Sequence, residues 1–195
     1  MNRVATQRGA LSNVGRAGAL WRVVGCGNAQ AGDDSAGLEI VRRLRERGEC
    51  QCELFERPQA GLELMDALRD AEKVLFIDAV SSGAPPGTLH LVPLPSAGVV
   101  PRALGAISSH GWGLVETLRL MAALHYRLPR LALLGVEIES AQPGVPRSAA
   151  VESAVRLVVE RFEALEEFLA LEENWDGLTP RQFAPGENPT SKGGL

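Results

Sequence analysis

The chain has 195 residues, enough for one well-buried core and short for two. Its 45% apolar and 23% charged residues are ordinary for a globular protein. A formal net charge of -4 argues against a nucleic-acid or anionic-membrane surface, which needs clustered Lys and Arg to displace counterions. Apolar runs such as Val74–Ile77 and Leu131–Leu134 are far too short to cross a bilayer.

The first 19 residues are basic and lack acids, and read as a flexible leader without a secretory apolar core. Residues 20–172 read as a single α/β domain. Leu20–Val24 is a short apolar strand broken by Gly25, and a polar loop runs from Cys26 to Ser35. Ala36–Arg47 carries Leu38, Val41 and Leu44 at helical spacing, with Gly48 standing as its stop. Cys50–Glu56 alternates as a second strand. Leu62–Leu68 is a short helix, and Lys73–Ala79 a fully buried strand. Thr88–Val92, bracketed by prolines, reads as an edge strand. Pro93–Gly111 is irregular, and a helix follows over Leu114–His125. Leu131–Val136 is another buried strand. Ser148 caps a long amphipathic helix reaching Leu171. Residues 173–195, rich in Pro, Gly, Asn, Thr and Ser, read as a disordered tail.

Strands alternating with helices imply βαβ crossovers and a mainly parallel, twisted sheet covered on both faces. The fold class is therefore α/β, a three-layer αβα sandwich with one antiparallel edge strand. The three cysteines, Cys26, Cys50 and Cys52, fit a reducing, cytoplasmic setting better than a disulfide framework. Cys50 and Cys52 read as small packing residues.

In an open parallel sheet, ligands collect beyond the carboxyl ends of the strands, near the reversal of strand order. Three groups fall there: Asp33-Asp34 after the first strand, Asp78 ending a buried strand, and His110 before a helix. A carboxylate at the end of an apolar strand costs several kcal/mol if left unpartnered and dry. Asp78 therefore needs a metal, a cation or backbone donors. Asp33 and Asp34 both precede a helix, where one suffices as a cap and the other is left as a ligand. His90 and His125, on an edge strand and at a helix end, are weaker candidates. Two carboxylates and an imidazole suit a borderline divalent ion and leave coordination positions open for water or substrate.

These residues resemble a known family. Gly25-Cys-Gly-Asn-Ala-Gln-Ala-Gly-Asp-Asp-Ser-Ala-Gly37 resembles the opening signature of the [NiFe]-hydrogenase maturation endopeptidases. Phe76–Val80, Ile107–Leu114 and Gly135–Ser140 are similar, in the same order, to their other three signatures. Ile138 departs from the usual proline of the last.

The resemblance implies an endopeptidase that removes a C-terminal peptide from the nickel-loaded precursor of a hydrogenase large subunit. It implies Asp34, Asp78 and His110 as catalytic metal ligands, with nickel as the divalent ion, either held by this chain or brought by the substrate. Gly25, Gly27, Asn28 and Asp33 would shape the loop or contact substrate. No organic cofactor, nucleic acid or membrane is implied, and the chain is expected to act as a monomer.

Three other readings compete. A non-proteolytic nickel chaperone would use the same ligands. A nucleotide-binding module is suggested by Gly25 and Gly27, but Gln30 stands where a third small residue belongs, and two acids would repel a pyrophosphate. Nucleophilic hydrolysis through Ser108, Ser109 or Cys26 is the third, without a Gly-x-Ser-x-Gly elbow to support it.

Overall fold

The computed structural model describes residues 21–57, 63–94, 114–171, 175 and 179–190. Strands and helices alternate along the first half of the chain: β1 (Trp21–Cys26), α1 (Ala36–Arg47), β2 (Glu53–Arg57), α2 (Glu63–Leu68) and β3 (Lys73–Val80). Then follow β4 (Leu89–Leu94), α3 (Leu114–Ala123), β5 (Arg130–Glu137), α4 (Ala149–Glu160), α5 (Phe162–Leu171) and β6 (Arg181–Phe183). The six strands form one sheet in the order β2-β1-β3-β5-β4-β6. β2, β1, β3 and β5 are parallel, and β4 pairs antiparallel with both β5 and β6.

Alternation along each strand sends side chains to two cores. Val23, Leu75, Ile77, Leu134 and Val136 face α1, α4 and α5. Val24, Phe76, Leu131 and Leu133 face α2 and α3. All eight residues of β3 are buried, as expected of a strand covered on both sides. α1 ends on Gly48, whose φ of 68° is the left-handed cap that a glycine adopts without a Cβ penalty.

Three expectations need correction. The helix capped by Ser148, whose Oγ accepts the Val151 N–H at 3.3 Å, is two helices rather than one, broken at Arg161. β4 is not an edge strand, because β6 lies outside it. Pro93 is tolerated there since β6 pairs only with Leu89–Leu91, so its missing N–H interrupts no bond to β6.

The expected disorder of the tail also does not hold for residues 175 and 179–190. Phe183 and Trp175 are fully buried, and Trp175 stacks edge-on against Trp21 with centroids 5.4 Å apart. Its indole N–H donates to the Leu169 carbonyl at 2.9 Å. Two large aromatics supply the apolar area that the polar composition around them concealed. The leader, residues 1–19, lies outside the described residues.

Candidate active site

The strand order reverses between β1 and β3, so the crevice expected of such a sheet opens at their carboxyl ends. Asp78 sits there with 7% exposure, and its Oδ1 accepts the N–H of Ala79 at 2.9 Å. It shares the face of Phe76 and Val80, over which α2 and α3 pack.

Asp34 occupies a 3₁₀ turn, Gly32–Ser35, between β1 and α1, and is 1% exposed. The loop leading to it is closed on itself. Asn28 N–H donates to the Asp34 carbonyl at 3.2 Å, Asp34 N–H to the Ala31 carbonyl at 2.8 Å, and Asn28 Oδ1 accepts from Gln30 N–H at 2.9 Å. Gly27 makes this closure possible. Its φ is 134°, and a Cβ there would stand 2.0 Å from the Asp34 carbonyl oxygen.

Gly25 and Gly37 let α1 approach the sheet. A Cβ on Gly25 would meet the Gly37 oxygen at 2.3 Å, and one on Gly37 would meet the Ile77 oxygen at 2.1 Å. Since Ile77 precedes Asp78, this contact brings the start of α1 and the turn holding Asp34 against the carboxyl end of β3.

Asp33 is not the helix cap that its place before α1 suggested. It caps neither the 3₁₀ turn nor α1, whose N-caps show no side-chain bond. Its Oδ1 accepts Ser148 N–H at 2.6 Å, and Oδ2 accepts Glu139 N–H at 3.0 Å and Ser140 N–H at 3.4 Å. Asp33 thus ties the first loop to the loop after β5 and to the start of α4. His110 lies outside the described residues.

Cys26 precedes the loop and is 2% exposed. Burial holds its thiol well above the ordinary range, and the Asp78 carboxylate pushes the same way, against the opposing effect of Arg57. It therefore remains a protonated thiol at neutral pH, which disfavours Cys26 as a nucleophile.

Two features were missed from sequence. Arg57 pairs in register with Cys26, and its Nε is buried without a hydrogen-bond partner among the described residues. Its place as the last residue of β2, level with the first loop, was the available signal. Glu137, 1% exposed, accepts from Ser82 N–H and Oγ–H at 2.7 Å each and from Gly83 N–H at 2.9 Å. His90 Nε2 lies 2.9 Å from the same carboxylate. His90 stands opposite Gly135, which in turn stands opposite Asp78. The histidine dismissed as an edge residue is therefore partly buried beside a carboxylate, one strand removed from the site.

A mainly parallel α/β sheet thus carries two buried carboxylates beside its switch point. The family model for the hydrogenase maturation protease HycI matches residues 38–165, and the chain belongs to that family of peptidases. It is 30% identical to the hydrogenase expression/formation protein HoxM of Cupriavidus necator over 175 residues, covering 86% of this chain and 82% of that one. With the hydrogenase 2 maturation protease of Escherichia coli it shares 29% identity, over 82% of this chain and 95% of the relative. Among solved structures, the hydrogenase maturating endopeptidase HybD from E. coli superposes with a TM-score of 0.59 at 24% identity, covering 76% of this chain and 93% of that one. HybD from Thermococcus kodakarensis gives 0.59 at 25% identity, covering 74% and 97%.

Proposed function

We propose that the protein removes a C-terminal peptide from the nickel-loaded precursor of a [NiFe]-hydrogenase large subunit, with Asp34, Asp78 and His110 as the ligands that grip the ion. The observation that carries this reading is the burial of two carboxylates, Asp34 and Asp78, at the carboxyl ends of adjacent strands. Two anions drawn out of water beside one crevice suit a bound divalent cation, and an oxygen-rich set with one imidazole suits a borderline ion such as nickel.

On this reading the ion belongs to the precursor, and the site senses whether metal has been inserted. A divalent ion so held polarises a carbonyl or lowers the pKa of a bound water toward ~7. The chain's own residues do the rest. Gly25, Gly27 and Gly37 allow the first loop to lie against β3, and the self-closed loop from Asn28 to Asp34 fixes the Asp34 backbone. Asp33 locks that loop to the one after β5. Arg57 supplies a cation near the crevice and an Nε–H that has no partner among the described residues, suited to a substrate carbonyl or carboxylate.

Among the described residues no helix is long and apolar enough to cross a membrane. We place the reaction in the cytoplasm, where such a precursor would be met before assembly.

The test is incubation with nickel-loaded and nickel-free large-subunit precursor, followed by intact mass of the product. Loss of one short C-terminal peptide, only from the loaded form, is expected. A nickel chaperone without protease activity would bind the precursor and leave its mass unchanged, which would overturn the proposal.

A further inference from the structure

A second group of metal-ligating side chains stands at the opposite end of the sheet. The loop from Gly48 to Cys52 joins α1 to β2 at the amino-terminal end of the parallel strands, far from the crevice. Cys50 and Cys52, expected to be separate packing residues, are joined there in a disulfide. Glu166 of α5 faces them, its Oε1 lying 3.9 Å from Cys50 Sγ. One ligand atom from each of Cys50, Cys52 and Glu166 lies within 4.8 Å of the others.

The surroundings suit a small ligand. A cavity of about 40 Å³ is lined by Cys50, Glu49, Glu163, Glu166, Leu44 and Arg47, room for a single ion or water. Cys52 is 6% exposed while Cys50 is partly open, so one sulfur is anchored in the core and the other faces the cavity.

We propose that Cys50, Cys52 and Glu166 form a second metal site, which takes one thiophilic divalent ion of the zinc class once the disulfide is reduced. Tetrahedral zinc with two thiolates and one carboxylate places its ligand atoms about 3.5–3.8 Å apart, within side-chain adjustment of the spacing present. Soft thiolate donors separate this site from the oxygen-rich crevice, which favours harder or borderline ions. Three protein ligands leave a fourth position for water, Glu49 or Glu163. A dithiol reductant supplies two electrons and two protons, breaking the S–S bond to give two thiols and itself becoming a disulfide. Binding then forms two metal–sulfur bonds and releases the two thiol protons. The oxidised loop cannot ligate in this way, so metal occupancy reports the thiol state.

The probe is Co²⁺ added anaerobically to the full-length protein before and after dithiothreitol reduction and removal of the reductant, followed by displacement with Zn²⁺. One equivalent of Co²⁺ with a thiolate-to-metal charge-transfer band is expected only in the reduced protein. The band should persist in Asp34→Asn/Asp78→Asn and vanish in Cys50→Ser/Cys52→Ser. Glu166→Gln, which leaves both thiols and the loop in place, should keep the band and weaken Co²⁺ binding at least tenfold. No band in the reduced wild type would overturn the site, as would a band surviving in the double serine variant, where Cys26 is the remaining thiol. Unchanged affinity in Glu166→Gln would do the same. None of these readouts depends on cleavage, so the site stands or falls apart from the proposed reaction.

Discussion

Asp33 Oδ1 accepts the backbone N–H of Ser148 at 2.6 Å, which makes an aspartate of the first loop the anchor for the helix that starts 115 residues later. The same carboxylate receives Glu139 N–H at 3.0 Å, so three chain segments meet on one side chain. Asp33→Ala should leave these partly buried donors to water and destabilise the fold by about 1–2 kcal/mol, since bonds to a charged acceptor are worth more than neutral ones. Chemical denaturation measures it. A loss below about 0.5 kcal/mol would show that the tie is unimportant.

The neighbouring Asp34 should behave in the opposite way. Asp34→Asn and Asp78→Asn keep the shape of each side chain while removing its charge. Each is expected to reduce precursor cleavage about 100-fold or more while the protein keeps a cooperative unfolding transition, because the amide has the size of the carboxylate it replaces but is a poorer metal ligand. Cleavage at the wild-type rate in either variant would remove that residue from the reaction.

Backbone approach at the site depends on residues without a Cβ. Gly37→Ala would bring a methyl to 2.1 Å from the Ile77 carbonyl oxygen and 2.5 Å from that of Cys26. Neither neighbour can move without disrupting the central strands, so a loss of about 3 kcal/mol or more is expected, with poor recovery of folded protein. Gly144→Ala is the control. Unlike Gly37 it has a positive φ, at 77°, but a Cβ there meets nothing within 4 Å, and the change should cost only about 1 kcal/mol.

Glu137 holds the loop after β3 and His90 together through four contacts. Glu137→Ala should destabilise by about 3–5 kcal/mol, as expected when a buried, multiply bonded carboxylate leaves its donors unpaired. His90→Ala removes a single contact and should cost no more than about half as much. Equal effects of the two substitutions would contradict this division.

Acid should loosen the contact between α1 and α4. Burial alone would raise Glu39 and Glu152, but hydrogen bonds and charge from Arg42, Arg43 and Arg147 outweigh it and hold both below their usual value of 4.5. A lowered carboxylate pKa stabilises the fold above the unfolded value and loses that stabilisation as pH falls through the folded one. Thermal stability should therefore fall as pH drops below about 4.5, and Arg147→Met should flatten the fall. An acid limb unchanged by Arg147→Met would assign the effect elsewhere.

The alternation of strands with amphipathic helices, the glycine stop of α1 and the apolar run of β3 are local properties of hydrophobic period and backbone freedom, and the sequence by itself determined them. So was the presence of Asp34 and Asp78 at strand ends, because a parallel sheet places such ends in one crevice. The roles of individual carboxylates were decided by tertiary structure. Nothing near Asp33 in the chain discloses that its partners are the N–H groups of residues 139, 140 and 148. Trp175 and Phe183 were hidden for the same reason: a polar stretch becomes ordered when one or two aromatics find a core built elsewhere. Hydrophobic period acts over a few neighbouring residues, whereas pairing of charge with buried donors depends on which distant segments the fold brings together.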